Sequence, residues 1–134
     1  MRNRELAADH VRRAGARLKA VDVLFEAESW ADVVRESQEV VELALKALLR
    51  ASRIEVPRVH DVSPLLVEHA ARLPDAARQH LDELVSASRS LRRDRELAFY
   101  GSEDLTPSEF YGPADSAEAR KLASRVVEIV SAAV

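Results

Sequence analysis

Three features of the sequence predict an all-α fold, an antiparallel up-and-down helical bundle of four long helices plus one short helix. Ala, Leu, Arg and Glu dominate the composition, and all four are strong helix formers. Only 3 Gly and 5 Pro punctuate the chain, too few turn formers for an all-β protein or a Gly-rich phosphate loop. Apolar residues also recur at alternating spacings of four and three, the signature of one face of a helix. A length of 134 residues fits a single domain spanning 1–134. Area scaling predicts a folded surface of about 7,000 Å² against about 21,600 Å² for the extended chain. Such a chain builds its core without disulfides or metals.

The first helix is expected from about Asn3, a suitable N-cap, to Glu26. Its inner stripe is Ala7, Val11, Ala14, Leu18, Val21 and Phe25. His10 lies beside that stripe and reads as a boundary side chain. The second helix starts at Ser29, which with Asp32 resembles a capping box, and runs to about Ser52. Trp30, Val33, Val34, Val40, Val41, Leu45, Leu48 and Leu49 give it an apolar face wide enough for more than one neighbour. Glu42 and Lys46 sit four apart, in the favourable order for a surface ion pair. Residues 53–62 read as a loop, with Pro57 stopping the helix at Val56.

Asp61 or Ser63 should cap a short third helix with Pro64 in its first turn. A fourth helix begins at Pro74, faces inward with Leu81, Leu84, Val85, Ser88 and Leu91, and reaches Ala98, with Gly101 ending it. Residues 101–114 form one long acidic loop containing Phe110 and Tyr111. Ser116, or Asp115 with Glu118, caps the last helix, whose stripe is Leu122, Ala123, Val126, Ile129 and Val130.

Net charge is −3, so no global basic field draws the chain to nucleic acid. Charge is nonetheless blocked. Residues 1–20 hold six basic and two acidic groups, net +4, and residues 21–45 hold one basic and seven acidic, net −6. Residues 89–97 hold four Arg against Asp94 and Glu96, net +2. The absence of Cys excludes a disulfide framework, a thiolate metal site and a Cys nucleophile, and fits a reducing, cytoplasmic setting. No two of His10, His60, His69 and His80 share i, i+4 spacing, so no zinc site and no cofactor is expected. Apolar runs fall far short of the ~20 residues of a membrane span. The basic N-terminus lacks the apolar stretch of a secretory signal. The remaining chemistry gathers at the end of the fourth helix. There Arg89, Arg92, Arg93 and Arg95 converge with Phe99 and Tyr100. Guanidinium groups fork onto phosphate, and aromatic faces stack bases.

Four pieces of sequence follow one another along nearly the whole chain. Glu26-Ala27-Glu28-Ser29-Trp30 makes an acidic, aromatic turn, and Glu42-Leu43-Ala44-Leu45-Lys46-Ala47-Leu48-Leu49 follows in the second helix. Pro57-Arg58-Val59-His60-Asp61 leads into the third helix, and Arg93-Asp94-Arg95-Glu96-Leu97-Ala98-Phe99-Tyr100-Gly101 closes the fourth. In this order they resemble the HEPN domains, small helical proteins often encoded beside minimal nucleotidyltransferases. That family carries an "EKALKALL" run and a "P-x-x-H-[DS]" entry to its third helix.

The resemblance implies a homodimeric bundle that works on RNA or nucleotides. Many members are metal-independent ribonucleases with R-x(4–6)-H near the end of the fourth helix, where Arg holds phosphate and His moves protons. Some are toxins neutralised by a nucleotidyltransferase that modifies a Tyr in R-x4-H-x-Y. With Arg93 as the motif Arg, the His position falls on Ala98 or, with one more spacer, on Phe99, and Tyr100 is the motif Tyr. The spacing also matches from Arg4 to His10 and from Arg53 to His60, both at the wrong place in the fold.

The leading expectation is therefore a non-catalytic module with no metal. It binds nucleotide or RNA phosphate through Arg89, Arg92, Arg93, Arg95 and Tyr100, with Tyr100 the site a partner nucleotidyltransferase would modify, in a toxin–antitoxin-like system. Two readings stay open beside it: an active ribonuclease with an atypical site, and a helical scaffold without ligand.

Overall fold

The computed structural model describes residues 2–59, 61–100 and 106–134, with residues 92–100 described by their backbone alone. Its four long helices are α1 (Arg2–Glu26), α2 (Trp30–Ala51), α5 (Leu81–Tyr100) and α7 (Pro113–Ala133). Between them lie the short α3 (Ser63–Glu68), a single 3₁₀ turn (Ala70–Arg72), α4 (Asp75–Arg78) and α6 (Pro107–Phe110). More short elements thus join the long helices than the sequence suggests. No strand occurs among the described residues.

Helix α2 is the hub, packing against α1, α5 and α7. This follows from its sequence. Val33, Val34, Val40, Val41, Leu45, Leu48 and Leu49 are all buried, and Ala31, Ala44 and Ala47 fill the gaps between neighbours. Burying each Leu contributes about 1.5–3 kcal/mol. Helix α1 approaches through small residues one heptad apart. Ala7, Ala14 and Val21 are fully buried, while Val11, Leu18 and Phe25 flank the core. The wide apolar face of α2 is therefore covered within the chain. An uncovered face of α2 is not what a dimer would bury.

Helices α1 and α2 end alike. Ser29 N–H donates to Leu24 O and Glu28 N–H to Phe25 O; Ile54 N–H donates to Leu49 O and Arg53 N–H to Arg50 O. These are Schellman closures, and both place a non-glycine residue in the left-handed region, Glu28 and Arg53 at φ 60°. The second closure ends α2 at Ala51, within a residue of the expected Ser52, so the helix stops well before Pro57 can act on it. Arg72 donates to the Ser52 and Arg53 carbonyls and so caps that end from the 3₁₀ turn.

Three other expectations change. Ser29 does not cap α2 through a backbone N–H. Its hydroxyl donates to Asp32 Oδ2 at 2.6 Å, because the chain arrives already committed to closing α1. The helix expected from Pro74 breaks at Gln79 and His80, leaving α4 as a single turn before α5. The last helix starts three residues earlier than Ser116, at Pro113. There the Gly112 N–H donates to Asp115 Oδ2 at 3.0 Å. Ser116 is instead buried, and its hydroxyl donates to Trp30 O at 2.9 Å, tying the first turns of α7 and α2 together. The loop of 101–114 contains α6, capped by Thr106, and delivers Tyr111 into the core. The expected helix terminator Gly101 lies outside the described residues. The Glu42–Lys46 pair forms at 2.8 Å.

Long ionic side chains clasp the helices from outside. Arg17 reaches Glu36 at 3.0 Å, and Arg125 binds Glu83 at 2.9 Å. Arg120 binds Asp22 at 2.8 Å and lies 4.7 Å above the Phe25 ring, which meets Trp30 edge-on.

Candidate functional site

The Arg-rich segment lies on the second half of α5. That helix turns Leu84, Ala87, Ser88 and Leu91 inward, and Asp82, Ser86 and Arg89, off that face, are exposed. At about 100° per residue, the α-carbons of Arg89, Arg92 and Arg93 fall within a 100° arc, with Tyr100 close to the line of Arg89 and Arg93. Arg95 lies roughly 160° around the helix from Arg93, off that line. The side chains of Arg92, Arg93, Arg95 and Tyr100 lie outside the described residues, as do Phe99 and His60. Arg89 is the member of the cluster whose side chain is described.

Arg89 is exposed, and its Nε donates to Ser63 Oγ at 3.3 Å. No described carboxylate forms a salt bridge with it. It lines a groove between α3 and α5 with Val67, Leu81 and Val85 on the apolar side and Asp82, Ser86 and Ser90 on the polar side. The groove therefore combines an apolar wall, one acid and a cation held by a neutral hydroxyl; Asp82 forms no salt bridge with Arg89, so the guanidinium can still bind an anion.

Ser63 is itself fixed from below. Asp61 Oδ1 accepts the Ser63 N–H at 2.9 Å and the Ser88 hydroxyl at 2.8 Å, and both serines are buried. One carboxylate thus starts α3, in an Asx turn, and ties that start to the face of α5 beside Arg89. Burial acts to raise the Asp61 pKa, but the Ser63 backbone N–H, the Ser63 and Ser88 hydroxyls and the Arg89 charge outweigh it and hold the carboxyl below its ordinary value. The sequence identifies Asp61 as a local cap. Its link to Ser88, 27 residues away, depends on tertiary packing. The signal that was legible is an Asp two residues before a Ser-Pro helix start.

Among the described residues, no group of three or more His, Cys, Asp or Glu side chains is placed to hold a metal. No helix among them is long and apolar enough to cross a membrane.

A helical bundle with a Pro-x-x-His-Asp entry to α3 and an Arg-rich end to α5 defines a class. The family model described as HEPN domain matches residues 7–133, and the chain belongs to that family. Among solved structures, the bundle is similar to the crystal structure of TT1696 from Thermus thermophilus. The TM-score is 0.77 at 23% identity, covering 96% of this chain and 98% of that one. At that identity the likeness is one of fold. No curated protein matches the sequence.

Proposed function

We propose that this HEPN domain is a non-catalytic phosphate-binding module. It acts as a homodimer that pairs with a nucleotidyltransferase and contacts nucleotide or RNA through Arg89, Arg92, Arg93 and Arg95, with Tyr100 the residue open to modification. The observation that carries the reading is the exposed Arg89, held by the neutral Ser63 hydroxyl on the helix that brings the other three Arg within two turns. The sequence also supports it. Ala98 and Phe99 stand where an R-x(4–6)-H motif would need His, so the segment offers no group that both takes and gives a proton near neutral pH.

Binding of a labelled nucleotide and a short RNA at two salt concentrations tests it, in the parent and in Arg92→Ala/Arg93→Ala. A phosphate-driven site weakens steeply with salt and loses most affinity in the double variant. Equal affinity in both proteins would reduce the cluster to a solvated helix face. Incubation with tRNA and total RNA tests the missing chemistry. Cleavage that disappears in Arg93→Ala would make the protein a ribonuclease instead. A single species of monomer mass in sedimentation at micromolar protein would remove the dimer.

A further inference from the structure

The groove between α3 and α5 offers more than a cation. Asp82, Val85, Ser86 and Arg89 follow one another at i, i+3, i+4 and i+7, so they stand on one face of α5 and line the groove together. Val67, from α3, lines the same groove and is 52% exposed, an apolar side chain that the bundle itself does not cover. Leu81 and Val85 beside it are half-buried. From Asp82 to Arg89 the helix advances about 10.5 Å along its axis. The two ends are oppositely charged, and among the described residues neither is neutralised by a salt bridge. Arg89 engages the Ser63 hydroxyl through Nε, which leaves its two terminal nitrogens without a protein partner there.

We infer that this groove receives a guanosine phosphate unit: Arg89 holds the phosphate, Val67 and Val85 hold the base, and Asp82 reads the base edge. The inference rests on the phosphate-binding reading of α5 and names the ligand for it. The order of groups along the helix carries it. An anion fits only the Arg89 end, where the free edge of the guanidinium can make two parallel N–H···O bonds to phosphate oxygens. The carboxylate at the other end repels a second anion and accepts N–H or O–H donors. A ligand that is anionic at one end, flat and apolar in its middle and rich in donors at its far edge is a nucleotide. Ser86 stands between the ends, where the ribose falls, with a hydroxyl that both donates and accepts. The base is guanine because a carboxylate offers two acceptor oxygens. Guanine sets two donors side by side on its pairing edge, N1–H and the N2 amino group. Adenine and cytosine set one amino group beside a ring-nitrogen lone pair, and uracil flanks its N–H with carbonyl oxygens, so each turns an acceptor toward the carboxylate. The same helix face continues through the Arg93 position, one turn beyond Arg89, so the rest of the cluster lies on the phosphate side.

The test displaces a fluorescent guanosine monophosphate from the full chain at low salt. The competitors are guanosine monophosphate, adenosine monophosphate, guanosine and inorganic phosphate. Guanosine monophosphate should compete about tenfold better than adenosine monophosphate, the discrimination one bidentate base contact supplies. Guanosine and inorganic phosphate should compete far less, since each fills one end of the groove. Asp82→Asn, at an exposed position, is the deciding variant. Beside a bare Arg cluster, removing an acid raises the affinity for every anion. In this groove it should weaken guanosine monophosphate about tenfold and spare adenosine monophosphate, because a carboxamide offers one acceptor and one donor, the complement of adenine. Arg89→Gln, also exposed, should weaken both nucleotides alike by about tenfold. Short oligoribonucleotides that differ only in one guanine or adenine separate the sources. A guanine preference kept in the strand assigns the groove to RNA, and one confined to the monophosphate assigns it to a free nucleotide. Equal competition by the two monophosphates, or undiminished guanosine monophosphate binding in Asp82→Asn, would overturn the groove. If phosphate binding then still disappears in Arg92→Ala/Arg93→Ala, the Arg cluster stands without it. No binding of any of the four compounds to the parent would remove both.

Discussion

Replacing Asp61 by Ala should be costly, because one carboxylate serves two buried donors. Ser63 N–H is fixed by the start of α3 and cannot turn elsewhere, so losing its acceptor at 2.9 Å leaves a buried donor unpaired. That costs about 1–3 kcal/mol. The Ser88 hydroxyl, 2.8 Å from the same oxygen, can rotate toward a carbonyl of its own helix, so its share is smaller, about 0.5–1 kcal/mol. Together they predict a loss of about 1.5–4 kcal/mol. A chain of 134 residues has an unfolding entropy of about 0.28 kcal/mol/K, so the melting point should fall by about 5–14 °C. Thermal and urea unfolding followed by circular dichroism measure it. Asp61→Asn keeps an acceptor oxygen and should recover more than half of the loss. The carboxyl is held below its ordinary value, so its contribution is complete above about pH 4 and disappears as pH falls through the lower folded value. The gap between parent and Asp61→Ala should close only in that acid range. Equal melting points at neutral pH would refute the reasoning and leave Asp61 a surface cap.

Arg53→Gly relieves a left-handed side-chain residue and should stabilise by about 0.5–1 kcal/mol in urea unfolding. Leu48→Ala hollows the hub helix at a fully buried position, so a loss of about 2–5 kcal/mol is expected, large enough to see as a lower urea midpoint with an unchanged slope. His10 has a lowered folded pKa, so the unfolded chain takes up the proton first as pH falls through about 6.5. Its stabilising contribution is therefore full above that pH and is lost below it, toward the folded midpoint. Comparing the parent with His10→Gln across that range isolates the effect, and parallel curves would remove it.

Helix identity was legible in the residues because periodicity and propensity are local. The stripe Ala7, Val11, Ala14, Leu18, Val21 and Phe25 turns inward as the spacing predicts, and Glu42 meets Lys46 because four residues make one helical turn. The HEPN family was legible in ordered motifs spread over nearly the whole chain. The end of α2 was legible to within a residue, about Ser52 against Ala51, but the means of its closure was not, since a Schellman closure with Arg53 at C′ uses no glycine. Nor was the early start of α7, where a glycine N–H finds Asp115 and frees Ser116 to bind the Trp30 carbonyl across the bundle. The sequence by itself determined which segments are helical, which faces are apolar and where the arginines gather along the chain. Only the tertiary structure decided that α2 is wrapped by the other three long helices and that Asp61 holds α3 against α5. Those outcomes join residues tens of positions apart, and their partners are chosen by how helices pack, which no local spacing encodes.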